Sequence, residues 1–167
     1  HNCLVGSEMC IRDRSYMIAL LYDNPNKSYL ADIQNGILQV CKKTGYNLVL
    51  QECDYQDKNL SSSIINFVED SKIDGLIVTP PLSDMDDLLE NLELADIQYS
   101  IIAPSTKNVS SPYVSSNDYD ASYEMTEKII GLGHKKIGFV KGHEMHSASS
   151  LRFNGFINAM DEHSLCL

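Results

Sequence analysis

The residues best equipped for chemistry fall into a few short clusters. The stretch "GHEMHS" sets His143 and His146 three positions apart, with Glu144 between them. A metal centre needs a third ligand and fixed geometry. This stretch reads as loop, so the pair is expected to make polar ligand contacts or to face solvent. Ser147, Ser149 and Ser150 stand at an expected helix start, where hydroxyls serve as caps. A serine nucleophile would also need a positioned base, and none is marked. Asn117, Asp118 and Asp120 form another polar cluster just ahead of a helix. Two carboxylates can do acid–base work, the cluster can cap backbone N–H groups, and its oxygens can accept hydrogen bonds from ligand hydroxyls. The cap is the default, and a ligand role can coexist with it. Arg152 falls on the first turn of the last helix, where its planar fork of donors could grip adjacent hydroxyls or a carboxylate. Tyr29 holds the corresponding place after the first strand, suited to stacking on a sugar face or to core packing.

Other motifs are excluded by their context. The glycines of "GLGHKK" precede a strand, whereas a dinucleotide loop follows a strand and opens a helix. No Walker motif and no GxSxG elbow occurs. His134 follows Gly133 directly before a strand and reads as a turn residue. No catalytic residue, metal set or cofactor is assigned, and the expectation is a protein that is not an enzyme.

The elements that must position these residues alternate in type. Strand-like runs are "YMIALLYD", "YNLVLQE", "DGLIVTPP", "IQYSIIAP" and "HKKIGFVKG", with a short strand at Tyr113 to Ser115. Between them lie helical patterns at about Tyr29 to Thr44, over "SSSIINFVEDSK", over "DMDDLLENLELA" and at about Tyr119 to Gly131, and "SASSLRFNGFINAMDEH" opens a last one. On the first helix Leu30, Ile33, Ile37, Leu38, Val40 and Cys41 are read as one apolar face at spacings of three and four. Gly45 stops it. Ile64, Ile65 and Val68 supply the second helix's apolar positions, Met125, Ile129 and Ile130 point inward on the fourth, and Leu151, Phe156 and Met160 on the last. The strands are continuous apolar runs, so both faces should be covered. That is the mark of an α/β fold with a parallel sheet and helices on both faces. Ligands in such folds bind at the carboxyl ends of the strands. The loops to inspect are therefore "DNPNKSY", "QECDYQD", "TPPLSD", "APST" and "GHEMHSAS".

With 167 residues the chain can form one domain with a proper core, or slightly more. The net charge of −10 argues against direct nucleic-acid binding by this portion, because phosphate contacts need clustered Lys and Arg. No apolar run approaches the roughly 18 residues of a membrane helix. The cysteines, Cys3, Cys10, Cys41, Cys53 and Cys166, are odd in number and lack CxxC spacing, which suits free thiols in a reducing cytoplasm.

From Tyr16 to about His163 the chain resembles the effector-binding core of the LacI/GalR family of bacterial transcription regulators. The resemblance rests on "IALLYDNPNKSYLADIQNGI", "GYNLVLQECD", "DGLIVTPPLSD", "EMTEKIIGLGHKKIGFVKG" and "HSASSLRFNGF". "GHKKIGF", followed about ten residues on by "RFNGF", is the most specific part. "YDNPNKSY", "TPPLSD" and "IAPS" resemble a subgroup linked to sugar catabolism. The resemblance implies a periplasmic-binding-protein-like fold of type I, two α/β lobes with a sugar-sized cleft between them. The first lobe, nearly complete, would cover 16–133, and the second, only begun, 134–167. Tyr29 with Leu30, the Asn117–Asp118 pair and Arg152 would face the effector; the family usually has Asp-Asn where this chain has Asn117–Asp118. The implied protein is a cytoplasmic, homodimeric, sugar-responsive repressor, with operator DNA bound through an amino-terminal helix-turn-helix that this chain does not show. The alternative is an extracytoplasmic sugar-binding protein of a transport system, which would need a secretion signal.

Two further expectations concern the ends. A second lobe of one strand and one helix would leave a cleft with one wall and part of another, exposing apolar surface and weakening stability and sugar binding. The first 15 residues fit no part of the family pattern. "LVGSEMCIRDR" resembles translated sequencing-library adapter, and Cys166–Leu167 could be its reverse complement. This segment is set aside from fold reasoning, and Cys3 and Cys10 with it.

Overall fold

A computed structural model describes residues 14–24, 26–104, 111–143 and 146–165. The adapter-like stretch up to residue 13, Glu144 and Cys166–Leu167 lie outside them. Strands β1 (Met17–Tyr22), β2 (Asn47–Glu52), β3 (Gly75–Val78), β4 (Tyr99–Ile102) and β5 (Tyr113–Val114) form one sheet in the order β2-β1-β3-β4-β5. Every neighbouring pair is parallel. The helices are α1 (Lys27–Thr44), α2 (Leu60–Ser71), α3 (Asp86–Leu94), α4 (Asp118–Gly131) and α5 (Ser147–Glu162), with a 3₁₀ turn at Leu82–Asp84.

Successive strand residues face opposite sides of the sheet, and the core follows that alternation. Ala19 and Leu21 of β1 and Leu76 and Val78 of β3 are buried with Leu60, Ile64 and Val68 of α2 and Leu88 and Leu92 of α3. Leu20, between Ala19 and Leu21, is fully buried outside that cluster. On α1, Leu30 and Cys41 are the buried residues. The helix ends as its sequence dictates: Asn26 accepts a hydrogen bond from the Tyr29 N–H at 3.2 Å, and Gly45 closes the helix at φ 77° with its N–H on the Cys41 carbonyl. Only a residue without Cβ adopts that left-handed conformation freely. At the other end of β1, Asp74 accepts from the backbone N–H groups of Ser15 and Tyr16.

Three expectations are corrected. Residues 134–142 are not a strand. They have no ladder partner among the described residues, and Phe139 instead stacks on Phe156 of α5 with ring centroids 5.0 Å apart. Leu38 and Val40 do not belong to the buried face of α1; they are 48% and 59% exposed, because the helix buries only a narrow stripe. Met125 and Leu151 are likewise exposed, whereas Phe156 and Met160 are buried as expected. α4 packs chiefly against α5. The approach is close at Gly155, where an added Cβ would collide with the Tyr119 carbonyl and lie 3.0 Å from the Tyr123 nitrogen.

Candidate functional site

The carboxyl ends of the strands open on a cavity of about 390 Å³. One wall comes from the loops after β1, β3 and β4, through Asn24, Asn26, Tyr29, Pro80 and Ala103. The facing wall comes from Ser116 and Asp118 at the start of α4, and from Gly142, His143 and the first turns of α5 as far as Arg152. The volume lies within the roughly 300–1,000 Å³ of small-molecule sites.

Three of the five residues expected to face a ligand line this cavity together: Tyr29, Asp118 and Arg152. Arg152 donates from Nε to Asp118 Oδ1 at 2.7 Å, and Ser116 Oγ donates to Asp118 Oδ2 at 2.7 Å. The carboxylate side chain is 10% exposed and the arginine side chain 56%. The pair therefore holds its acid inside and presents much of its guanidinium outward. The bond to Asp118 occupies Nε, one of five N–H donors on the fork. Burial raises the Tyr29 hydroxyl above its ordinary pKa, the Asp118 carboxylate adds to the rise and Arg152 opposes it. The ring thus presents a neutral hydroxyl to a ligand at physiological pH.

The other two do not reach the cavity lining. Leu30 is 6% exposed and anchors α1 from within. Asn117 caps α4: its Oδ1 accepts from the Asp120 N–H and its Nδ2 bonds to the Asp120 carboxylate. The Asn117–Asp118 pair divides its labour, the first residue capping and the second lining the cavity. Several lining residues were not named individually from sequence, among them Asn24, Asn26, Pro80, Ala103 and Ser116. Four of the five strand-end loops singled out above contribute to or adjoin this rim; the loop after β2 does not line it. Asn26 had a readable signal, being a helix cap directly after a strand.

His143 and His146 line the cavity with ring centroids 6.0 Å apart. Among the described residues no group of three or more His, Cys, Asp or Glu could hold a metal ion. Cys41 and Cys53 are free thiols.

The profile of the family described as periplasmic binding proteins and sugar binding domain of LacI family matches residues 15–166. The chain belongs to this family. It is 26% identical over 153 residues to the HTH-type transcriptional repressor PurR of Haemophilus influenzae strain PittEE, covering 90% of this chain and 44% of that protein. It is 26% identical over 156 residues to the ribose operon repressor of Haemophilus influenzae strain Rd, with the same coverage. Among solved structures, a transcription regulator like protein from Staphylococcus haemolyticus superposes with a TM-score of 0.78 at 21% identity, over 90% of this chain and 58% of that one. The chain thus spans about half the length of the curated relatives it matches. Those relatives are regulators, not enzymes. No helix among the described residues is long and apolar enough to cross a membrane.

Proposed function

We propose that this chain is the effector-binding core of a sugar-responsive transcriptional repressor, with the sugar held in the cavity between the strand ends and the α4–α5 wall. The observation that carries the reading is the convergence of Tyr29, Asp118 and Arg152 on one cavity of about 390 Å³. A half-buried ring offers a sugar its apolar face, while the carboxylate and guanidinium offer an acceptor and donors to its hydroxyls. Leu30 and Asn117 act indirectly, by seating α1 and the start of α4. The family match supports the sugar, and the named repressors among the relatives support the regulatory role over that of a transport protein. In this reading the intact protein is a cytoplasmic homodimer that binds operator DNA through a segment other than this one.

The first lobe comprises the five-stranded sheet with α1 to α3. The packing of α4 on α5 supports grouping α4 with the second lobe, so the boundary falls just before Asp118 rather than at Gly133. A sugar touching both walls favours one arrangement of the lobes and so changes the affinity of the dimer for DNA. The test is a sugar panel on the intact protein that carries this chain. A sugar that raises Tm and shifts operator affinity, both effects falling with Arg152→Ala, supports the reading. Sugar binding without any effect on DNA, or no sugar binding, overturns it.

A further inference from the structure

The amino-terminal ends of α1, α4 and α5 all reach the cavity, and they differ in chemistry. Asn26 caps α1, and Asn117 caps α4. α4 also carries Asp118 and Asp120 in its first turn, where acids offset the positive end of the helix dipole. α5 has 16 residues, no side-chain cap and no acid in its first turn. The opening amides of a helix lack intrahelical acceptors; the Ser149 N–H is taken by the His146 carbonyl at 2.9 Å, and those of Ser147 and Ala148 belong to the same cavity-lining turn.

A second observation points the same way. Ser149 is 7% exposed, and its Oγ has no hydrogen-bond partner among the described residues. Buried polar groups are rarely left unpaired. Gly142 faces this hydroxyl, and an added Cβ there would stand 3.1 Å from it. The absence of a side chain at Gly142 lets its backbone pack beside this hydroxyl. Among the described residues lining the cavity Asp118 is the only acid, and its two oxygens are engaged by Arg152 and Ser116. It does not project an unpaired charge towards α5. His143 and His146 stand at the same end. An uncapped helix terminus with an unpaired hydroxyl beside it suits a tetrahedral anion.

We propose that the α5 end of the cavity seats a phosphate group, so that the preferred ligand is a phosphorylated sugar. This rests on the sugar-binding reading above. Inorganic phosphate tests it directly, because its binding does not depend on knowing the sugar. Titrated into the intact ¹⁵N-labelled protein, phosphate is expected to move the amide resonances of Ser147 and Ala148. Ala148→Asp should abolish that movement without lowering Tm, since an acid suits a helix's first turn, and Ser149→Ala should weaken binding several-fold. In calorimetry, D-ribose 5-phosphate or D-glucose 6-phosphate should bind at least about tenfold tighter than its parent sugar, roughly 1.4 kcal/mol. Unmoved amides, or parent sugars binding as tightly as their phosphates, overturn the proposal while leaving the sugar-binding reading intact. Phosphate seated at α5 with no sugar bound in the wider panel would sink the sugar-binding reading instead.

Discussion

Removing the guanidinium of Arg152 would leave the Asp118 carboxylate nearly buried with Ser116 as its remaining donor. A buried charge stripped of its partner is destabilising, but Arg152 is more than half exposed, so solvent screening tempers the effect. Arg152→Ala is expected to lower stability by about 1–2 kcal/mol. Adding Asp118→Asn should restore part of that loss, because the neutral amide needs no counter-charge; urea unfolding of the double-mutant cycle measures the coupling. Cys53 makes a separate prediction. Burial foremost, with the Asp23 carboxylate next, pushes its thiol from 9.0 up to about 11. The folded state therefore holds a proton that the unfolded state releases first. The resulting stability is fully present below pH 9.0 and is lost as pH rises towards about 11. Cys53→Ser should flatten the alkaline limb of a Tm-against-pH profile. At pH 8 the native thiol should react with iodoacetamide far more slowly than a free cysteine, because the thiolate is the nucleophile.

Among the elements, α4 and α5 form the tightest unit on the cavity's second wall. Gly155 lets the helix backbones meet, and a polar ladder flanks the contact. Asn158 donates to the Tyr119 hydroxyl at 2.5 Å, Tyr123 donates to Glu162 at 2.5 Å, and His163 lies 2.6 Å from Glu127. The Tyr123 hydroxyl is pushed up to about 12, chiefly by its bond to Glu162. Gly155→Ala should force the helices apart at a cost of about 1–3 kcal/mol; the loss of Tm, measured beside Gly36→Ala on open helix surface as the control, checks it. Much at this scale was legible in the sequence. Gly45 marks the end of α1, whose start the pattern puts at about Tyr29 and which begins at Lys27 behind the Asn26 cap, and continuous runs such as "IALLY" mark buried parallel strands. What periodicity could not give was the width of each buried stripe. Leu38, Val40 and Met125 repeat at helical spacing, yet nothing among the described residues covers them well. The segment 134–142 shows the same limit, because strand composition does not supply a neighbour to pair with. The cavity was legible as a set of loops and as Tyr29, Asp118 and Arg152. Leu30 and Asn117 could not be separated from these, because adjacency in sequence says nothing about which of two neighbours turns inward.

For the whole molecule, the charge of −10 sets one expectation: this chain alone should not retain duplex DNA at about 0.15 M salt in a filter-binding assay. Retention there would relocate the DNA-reading surface. The sheet fixes the strand-end wall of the cavity, whereas Asp118 and Arg152 both ride on the α4–α5 pair. α4 leads directly from the cavity edge and has 14 residues, which at 1.5 Å each makes an arm of about 21 Å. Under the proposed reading a ligand touching Asp118 acts at the near end of this arm, with Gly131 at its far end. A tilt of α4 by about 5° about its cavity end would carry Gly131 by about 2 Å.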